Sequence, residues 1–235
     1  MRYELMRPHQ IKQAVADGLA LLMPVGVLEY HGEQNPVGVD SLISQGLAHA
    51  VEERVPCVVA PTIFYGYTGQ WASDERDGEI HIDGDALYAF ARLILRGHLR
   101  QGWRRIYVIC HHQGPNGVTQ LSYARAATEA AMEYALEQHG PGWHEDASLY
   151  PRILNRIRVV SDSEFVEAGF GGDGGRDETA AMMHFYPDTV DLNQLEDDRP
   201  QWARDADEAN GELGRSIAER LIESWVAELT ANRSD

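Results

Sequence analysis

The stretch Leu19-Ala20-Leu21-Leu22-Met23-Pro24-Val25-Gly26-Val27-Leu28-Glu29-Tyr30-His31-Gly32, continuing through Glu33-Gln34-Asn35-Pro36-Val37-Gly38-Val39 to Asp40, decides the fold. Leu19 to Leu28 is a compact apolar run, short enough for a strand buried on both faces. It ends abruptly in a carboxylate and an imidazole, and a second carboxylate follows a loop bearing Gly and Pro. From Asp40 to Glu53, Leu42, Ile43, Gly46, Leu47 and Ala50 recur at helical spacing, with Asp40 placed to cap that helix. Strand, polar tip and helix together make the repeating unit of an α/β domain.

Further along the chain the unit recurs. Cys57 to Ala60 reads as a second buried strand, opening through Pro61-Thr62-Ile63-Phe64-Tyr65 into a polar loop from Gly66 to Gly84. Asp83 or Asp85 starts a helix with Leu87, Phe90, Ala91, Ile94 and Leu95 on one face, and Gly102 ends it. Arg105 to Cys110 is a third strand that runs directly into His111-His112-Gln113-Gly114. Ser122 to His139 is Ala-rich and helical, broken by Gly140-Pro141-Gly142, and Arg156 to Val160 is another strand. A glycine-dense loop, Gly169 to Gly175, leads into Asp177-Glu178-Thr179-Ala180 and a short helix carrying Met182, Met183 and Phe185, which Pro187 stops. From Trp202 a long amphipathic helix presents Leu213, Ile217, Leu221, Trp225 and Leu229 at every fourth position. The alternation predicts one α/β domain over residues 1–235, with a mostly parallel sheet flanked by helices on both faces.

Composition narrows the class of partner. A net charge of -17 over 235 residues disfavours nucleic acid and anionic membranes, both of which call for a basic face. A small-molecule substrate fits better. Only Cys57 and Cys110 are present, each inside an apolar run, which suits buried thiols in a reducing compartment. The first residues lack the apolar core of a secretory signal, and no stretch approaches the ~20 apolar residues of a membrane span, so the expected location is the cytoplasm.

Ligands gather outside the carboxyl ends of the strands in open α/β sheets. Three strand ends here carry polar residues: Glu29 with His31, the loop from Gly66 to Gly84, and His111 with His112. Such hard oxygen and imidazole donors suit a divalent cation, and two cations a few ångströms apart can polarise a carbonyl and generate hydroxide at neutral pH. Asp40 is the candidate bridge, with Glu29 and His31 each facing one ion, His112 closing the first site and Glu178 supplying oxygen to the second. Two divalent metals per chain are expected, Zn²⁺ or Mn²⁺ with Fe²⁺ also compatible. Side chains alternate along an extended chain, so His111 should point away and orient a ligand from behind.

Leu28-Glu29-Tyr30-His31-Gly32 through Pro36-Val37-Gly38-Val39-Asp40 resembles the creatininase family signature, E-x-H-G-x-x-x-P-x-G-x-D. Ile109 to Asn116 resembles the family's second motif, and Asp177-Glu178-Thr179-Ala180 with Pro187-Asp188 and Val190-Asp191 resembles its third. The resemblance implies a binuclear metal-dependent hydrolase on an α/β fold, commonly a homo-hexamer, acting on small amide-type substrates. Carried over residue by residue, it puts Glu29, His31, Asp40 and His112 on metal-ligand positions. A further Glu of the creatinine-cleaving members falls on Gly114, leaving Glu178 as its substitute. The family's catalytic His falls on Asp173. These departures argue against creatinine itself as substrate.

His111-His112-Gln113-Gly114 and Gly66-Tyr67-Thr68-Gly69-Gln70-Trp71 resemble a branch of the family acting on oxidised inositols. The reaction implied there is hydrolytic ring opening of a cyclic diketone, in which hydroxide adds to a metal-polarised carbonyl and an enolate leaves. Asp173 then serves as general acid or base with its pKa adjusted by Arg176, with Glu178 and His111 as further catalytic candidates. Trp71, Glu79, Arg176 and Gln113 are candidates for substrate contact. Cleavage of a cyclic amide is the other chemistry of the same site. A non-catalytic polyol-binding protein with a structural metal is the competing class, and a nucleotide-handling enzyme a third, opposed by the absence of a phosphate-binding glycine motif.

Overall fold

A computed structural model describes residues 1–69, 77–114, 116–164 and 173–231. Four parallel strands, β1 (Ala20–Val25), β2 (Cys57–Val59), β3 (Ile106–Cys110) and β4 (Ile157–Ser161), pair in the order β2-β1-β3-β4. Helices α1 (Pro8–Ala16), α2 (Val39–Arg54), α3 (Gly84–Gln101), α4 (Val118–His139), α5 (Leu149–Leu154), α6 (Arg176–Phe185) and α7 (Gly211–Ala231) surround this sheet. The expected fold class, a parallel sheet with helices on both faces, is what forms.

Alternation along the strands sorts the core into two layers. Leu21, Met23 and Val25 of β1 and Ile106, Val108 and Cys110 of β3 face α3 and α4. Ala20, Leu22, Tyr107 and Ile109 face the opposite way, against Leu47 and Val51 of α2 and Ile217, Leu221 and Trp225 of α7. Both cysteines are buried. Pro24 is tolerated in the central strand because its ring nitrogen faces the side where β2 has already ended; on that side its carbonyl accepts the Ile63 N–H at 3.1 Å. Among the described residues no helix is long and apolar enough to cross a membrane.

Strand order places the chemistry. The chain leaves β1 toward β2, then crosses back over β1 to reach β3, so the direction of winding reverses between β1 and β3. That reversal opens a crevice at the carboxyl ends of these two strands, the usual place for a ligand. The loop after β1 carries Glu29 and His31, and the loop after β3 carries His111 and His112.

Element boundaries moved in instructive ways. α2 begins one residue before Asp40 with Gly38 as its cap, so Asp40 is not the N-cap and its side chain is buried toward the crevice. The last helix starts at Gly211, not Trp202; Asn210 caps it by accepting the Leu213 N–H at 3.0 Å, and Trp202 lies in a separate 3-10 turn. α6 and α7 approach so closely that a Cβ on Gly214 would stand 1.9 Å from the Ala180 carbonyl oxygen. Gly214→Ala should cost about 1–3 kcal/mol by overpacking. Chemical denaturation checks this, and an unchanged midpoint would contradict the described packing.

Candidate metal centre

Glu29, His31, Asp40, His111, His112 and Glu178 converge in the crevice, all buried. Ligand atoms of Glu29, His31 and Asp40 lie within 4.8 Å of one another, as do those of Asp40, His111 and Glu178, so the two groups share Asp40. Asp40 Oδ1 is 3.4 Å from His31 Nε2, and Asp40 Oδ2 is 3.1 Å from His112 Nδ1. His112 Nδ1 also lies 3.2 Å from Glu29 Oε2, while His31 Nε2 lies 3.8 Å from Glu178 Oε2. Asp40 thus spans two nests, one with Glu29 and His112 and one with His31 and Glu178.

Backbone carbonyls fix which imidazole nitrogen faces the crevice. His31 Nδ1 is 3.0 Å from the Glu29 carbonyl, and His112 Nε2 is 2.9 Å from the Tyr67 carbonyl. A carbonyl only accepts, so each of these nitrogens carries the proton and the other turns toward the carboxylates. Glu29 Oε2, His31 Nε2 and Asp40 Oδ2 are buried with no hydrogen-bond partner among the described residues. Orphaned donors of this type, mixed carboxylate and imidazole, fit divalent cations such as Mn²⁺ or Zn²⁺.

His111 departs from the expected alternation. It does not point away: the chain leaves the extended conformation after Cys110, Gln113 takes φ +59°, and both imidazoles reach the crevice. His111 Nδ1 bonds the Asp162 carboxylate and its Nε2 lies 3.1 Å from Glu178 Oε1. Held between two acceptors it becomes an imidazolium that braces Glu178. Burial opposes that charge, but Asp162 and then Glu178 outweigh it and raise the pKa well above the ordinary value.

Asp162 was not anticipated. It follows β4 immediately, on the same sheet edge as the other donors, and applying the strand-end criterion to Ser161-Asp162-Ser163 would have found it. Gln34 and Asn35 were also missed. The Gln34 side-chain amide donates to the carbonyls of His31 (3.2 Å) and Gly174 (2.9 Å), and Asn35 Nδ2 donates to the His31 carbonyl (3.1 Å) and Thr179 Oγ1 (2.9 Å). Together they tie the first motif loop to the start of α6. Gly174, with φ +65°, sits so close that a Cβ there would be 2.3 Å from the His31 carbonyl oxygen; its N–H donates to Glu178 Oε2 at 2.6 Å.

The remaining candidates separate. Asp173 is exposed at the mouth of the cluster, and its carboxyl is raised first by the protein crowded around it and then by Glu178. Arg176 is not its partner: the guanidinium turns outward to Asp177 at 2.8 Å and Glu208 at 3.7 Å. Glu79 is buried and accepts the Thr68 hydroxyl at 2.5 Å, in the wall behind His112. The Gln113 amide nitrogen reaches the Thr68 carbonyl at 3.4 Å, leaving its buried Oε1 unpaired. Trp71 lies outside the described residues.

The sequence model of the creatininase family, described as creatinine amidohydrolase, matches residues 4–229. The chain belongs to the creatininase family. Membership makes it a metal-dependent hydrolase. It is 28% identical to a creatinine amidohydrolase of Pseudomonas putida over 200 residues, covering 80% of this chain and 72% of the relative. It is 24% identical to a 3-dehydro-scyllo-inosose hydrolase of Thermotoga maritima over 110 residues, covering 47% of this chain and 35% of that protein. A solved structure described as "Creatininase Mn" superposes with a TM-score of 0.82 at 23% identity, covering 100% of this chain and 99% of the other, which shows the shared creatininase fold.

Charge within the cluster predicts how this creatininase-family site handles cations. Burial pushes the His31 imidazole down, yet Asp40 and then Glu178 outweigh it and hold it at about 10. Burial pushes the Glu29 carboxyl up to about 8, against the pull of His112. Asp40 stays far below the usual carboxylate range because His31 and His112 overcome its burial. Both His31 and Glu29 therefore carry displaceable protons at neutral pH. A cation must expel them, so metal affinity rises with pH and falls on acidification. Titrating Mn²⁺ into metal-free protein in buffers of different ionisation enthalpy should reveal release of at least one proton; buffer-independent heats would contradict the arrangement.

Proposed function

We propose that the chain holds two divalent cations and hydrolytically opens a small, polar, cyclic substrate by attack at a carbonyl carbon, with an oxidised inositol or related keto-polyol as the substrate class. The observation carrying this reading is Asp40 in contact with His112 beside Glu29 on one side and with His31 beside Glu178 on the other. Glu29, Asp40 and His112 would hold one ion, and His31, Asp40 and Glu178 the other. When bound, the pair supplies Lewis-acid polarisation of the carbonyl and lowers the pKa of water.

The side chains do the rest. Asp173, exposed at the mouth with a raised pKa, takes a proton from the attacking water and returns it to the departing group. In a cyclic diketone, a C–O bond forms at the carbonyl, the ring C–C bond breaks, and its electron pair leaves as an enolate that receives this proton. The product is a ring-opened keto acid. His111, held by Asp162, keeps Glu178 in place. Likeness to the Thermotoga maritima inosose hydrolase, over 110 residues, supports the polyol class. Likeness to the Pseudomonas putida creatinine amidohydrolase, over 200 residues, favours a second reading, cleavage of a cyclic amide with nitrogen as the departing group.

Three experiments decide. Elemental analysis should find about two metal ions per chain, with at least one lost in His31→Ala; unchanged metal content would remove His31 from the ligand set. Metal-loaded protein assayed on keto-inositols beside lactams and cyclic ureides should turn over only the keto-inositols, while turnover of the amides alone would establish the second reading. Asp173→Asn should lower kcat by about 10²–10⁴-fold without loss of metal. Bound metal with no turnover of either set would point to the non-catalytic alternative.

A further inference from the structure

A second concave site lies at the opposite edge of the sheet. A cavity of about 550 Å³ opens where Arg104 and Arg105 lead into β3 and Arg156 and Arg158 flank the start of β4, with Arg152 of α5 completing the wall. At about 3.3 Å per residue, the length of β3 keeps it roughly 15 Å from the metal centre.

Five of the chain's 20 basic residues line this one cavity, although the chain carries 37 acidic ones and none of the described acids lines it. Such concentration runs against the overall charge. Within the cavity the local groups dominate, because ionic screening limits distant charges to a range of ~8 Å.

The arginines are held in place mostly without carboxylates. Arg158 pairs with Glu228. Arg105 Nη2 donates to the Leu229 carbonyl at 2.8 Å, while its Nε is buried with no hydrogen-bond partner among the described residues. The Arg156 guanidinium lies 5.1 Å from the centre of the Tyr134 ring. Arg104 and Arg152 are exposed, and neither forms an ion pair among the described residues. Four of the five arginines thus form no ion pair among the described residues, and the lining gathers positive charge around one space.

We propose that this cavity binds a small molecule carrying two or more phosphate groups. Guanidinium forks engage phosphate oxygens in pairs, and several forks on different walls call for more than one phosphate. The volume fits a small ligand, within the ~300–1,000 Å³ usual for such pockets. The site is separate from the metal centre, and it stands whichever carbonyl substrate the enzyme cleaves. The acidity of the chain as a whole, which opposes long polyanions, does not oppose this.

Isothermal titration of the metal-loaded full chain with sodium pyrophosphate tests the proposal, against sodium chloride at matched ionic strength. Saturable one-to-one binding is expected, weakened about tenfold or more in Arg104→Ala/Arg152→Ala. Both positions are exposed and form no ion pair among the described residues, so thermal unfolding of this variant should match the parent. Pyrophosphate also seeks bound cations, so His31→Ala must retain the parent's affinity. Absence of saturable heat, an arginine variant that binds as the parent does, or loss of binding in His31→Ala would each overturn the assignment.

Discussion

Asp40, wedged between His31 and His112 beneath the surface, is the contact on which the rest of the site depends. Removing a carboxylate from water costs several kcal/mol unless opposite charge and hydrogen bonds replace the lost hydration. Glu29 and Glu178 are buried beside it, and Arg176, two residues before Glu178, turns away to Asp177 and Glu208. Imidazoles and cations are therefore the compensation the crevice offers. The loop bonds of Gln34 and Asn35 make sense on the same terms: they hold the His31 backbone still, so that its ring nitrogen stays aimed at the acids.

Sheet topology determines where such a cluster can exist. Because winding reverses between β1 and β3, the loops leaving those strands diverge to opposite faces and leave a gap that side chains from both can fill. β4 adds Asp162 to the same edge, and α6 brings Glu178 across it. The other edge collects guanidinium groups at the entrances to β3 and β4. A chain with a large net negative charge has thus separated its charges along the strand direction, acids and imidazoles at one end and arginines at the other.

The strands were legible because both of their faces are buried, which leaves continuous apolar runs that end at polar tips. Their tips located Glu29, His31 and His112 directly. What sequence did not reveal depends on local backbone geometry. Gly38 caps α2 and turns Asp40 inward, where spacing alone suggested a cap. β3 ends at Cys110, so the alternation of a strand no longer governs His111, and it joins His112 in the site. α1 escaped notice because Ala14 is its only buried residue, too little to leave an apolar stripe. Asp162 was passed over because its strand had been ended one residue short, at Val160.

α7 reaches back to the centre at two points. Trp225 Nε1 donates to the Asp162 carbonyl at 2.9 Å, and Gly214 lets the helix lie directly on α6, which bears Glu178. During synthesis Glu29 to Asp40 emerge first and the two adjacent histidines about midway. The supports for Asp162 and Glu178 arrive only with residues 211–231. A nascent chain therefore displays an incomplete cluster until residues 211–231 have emerged and packed.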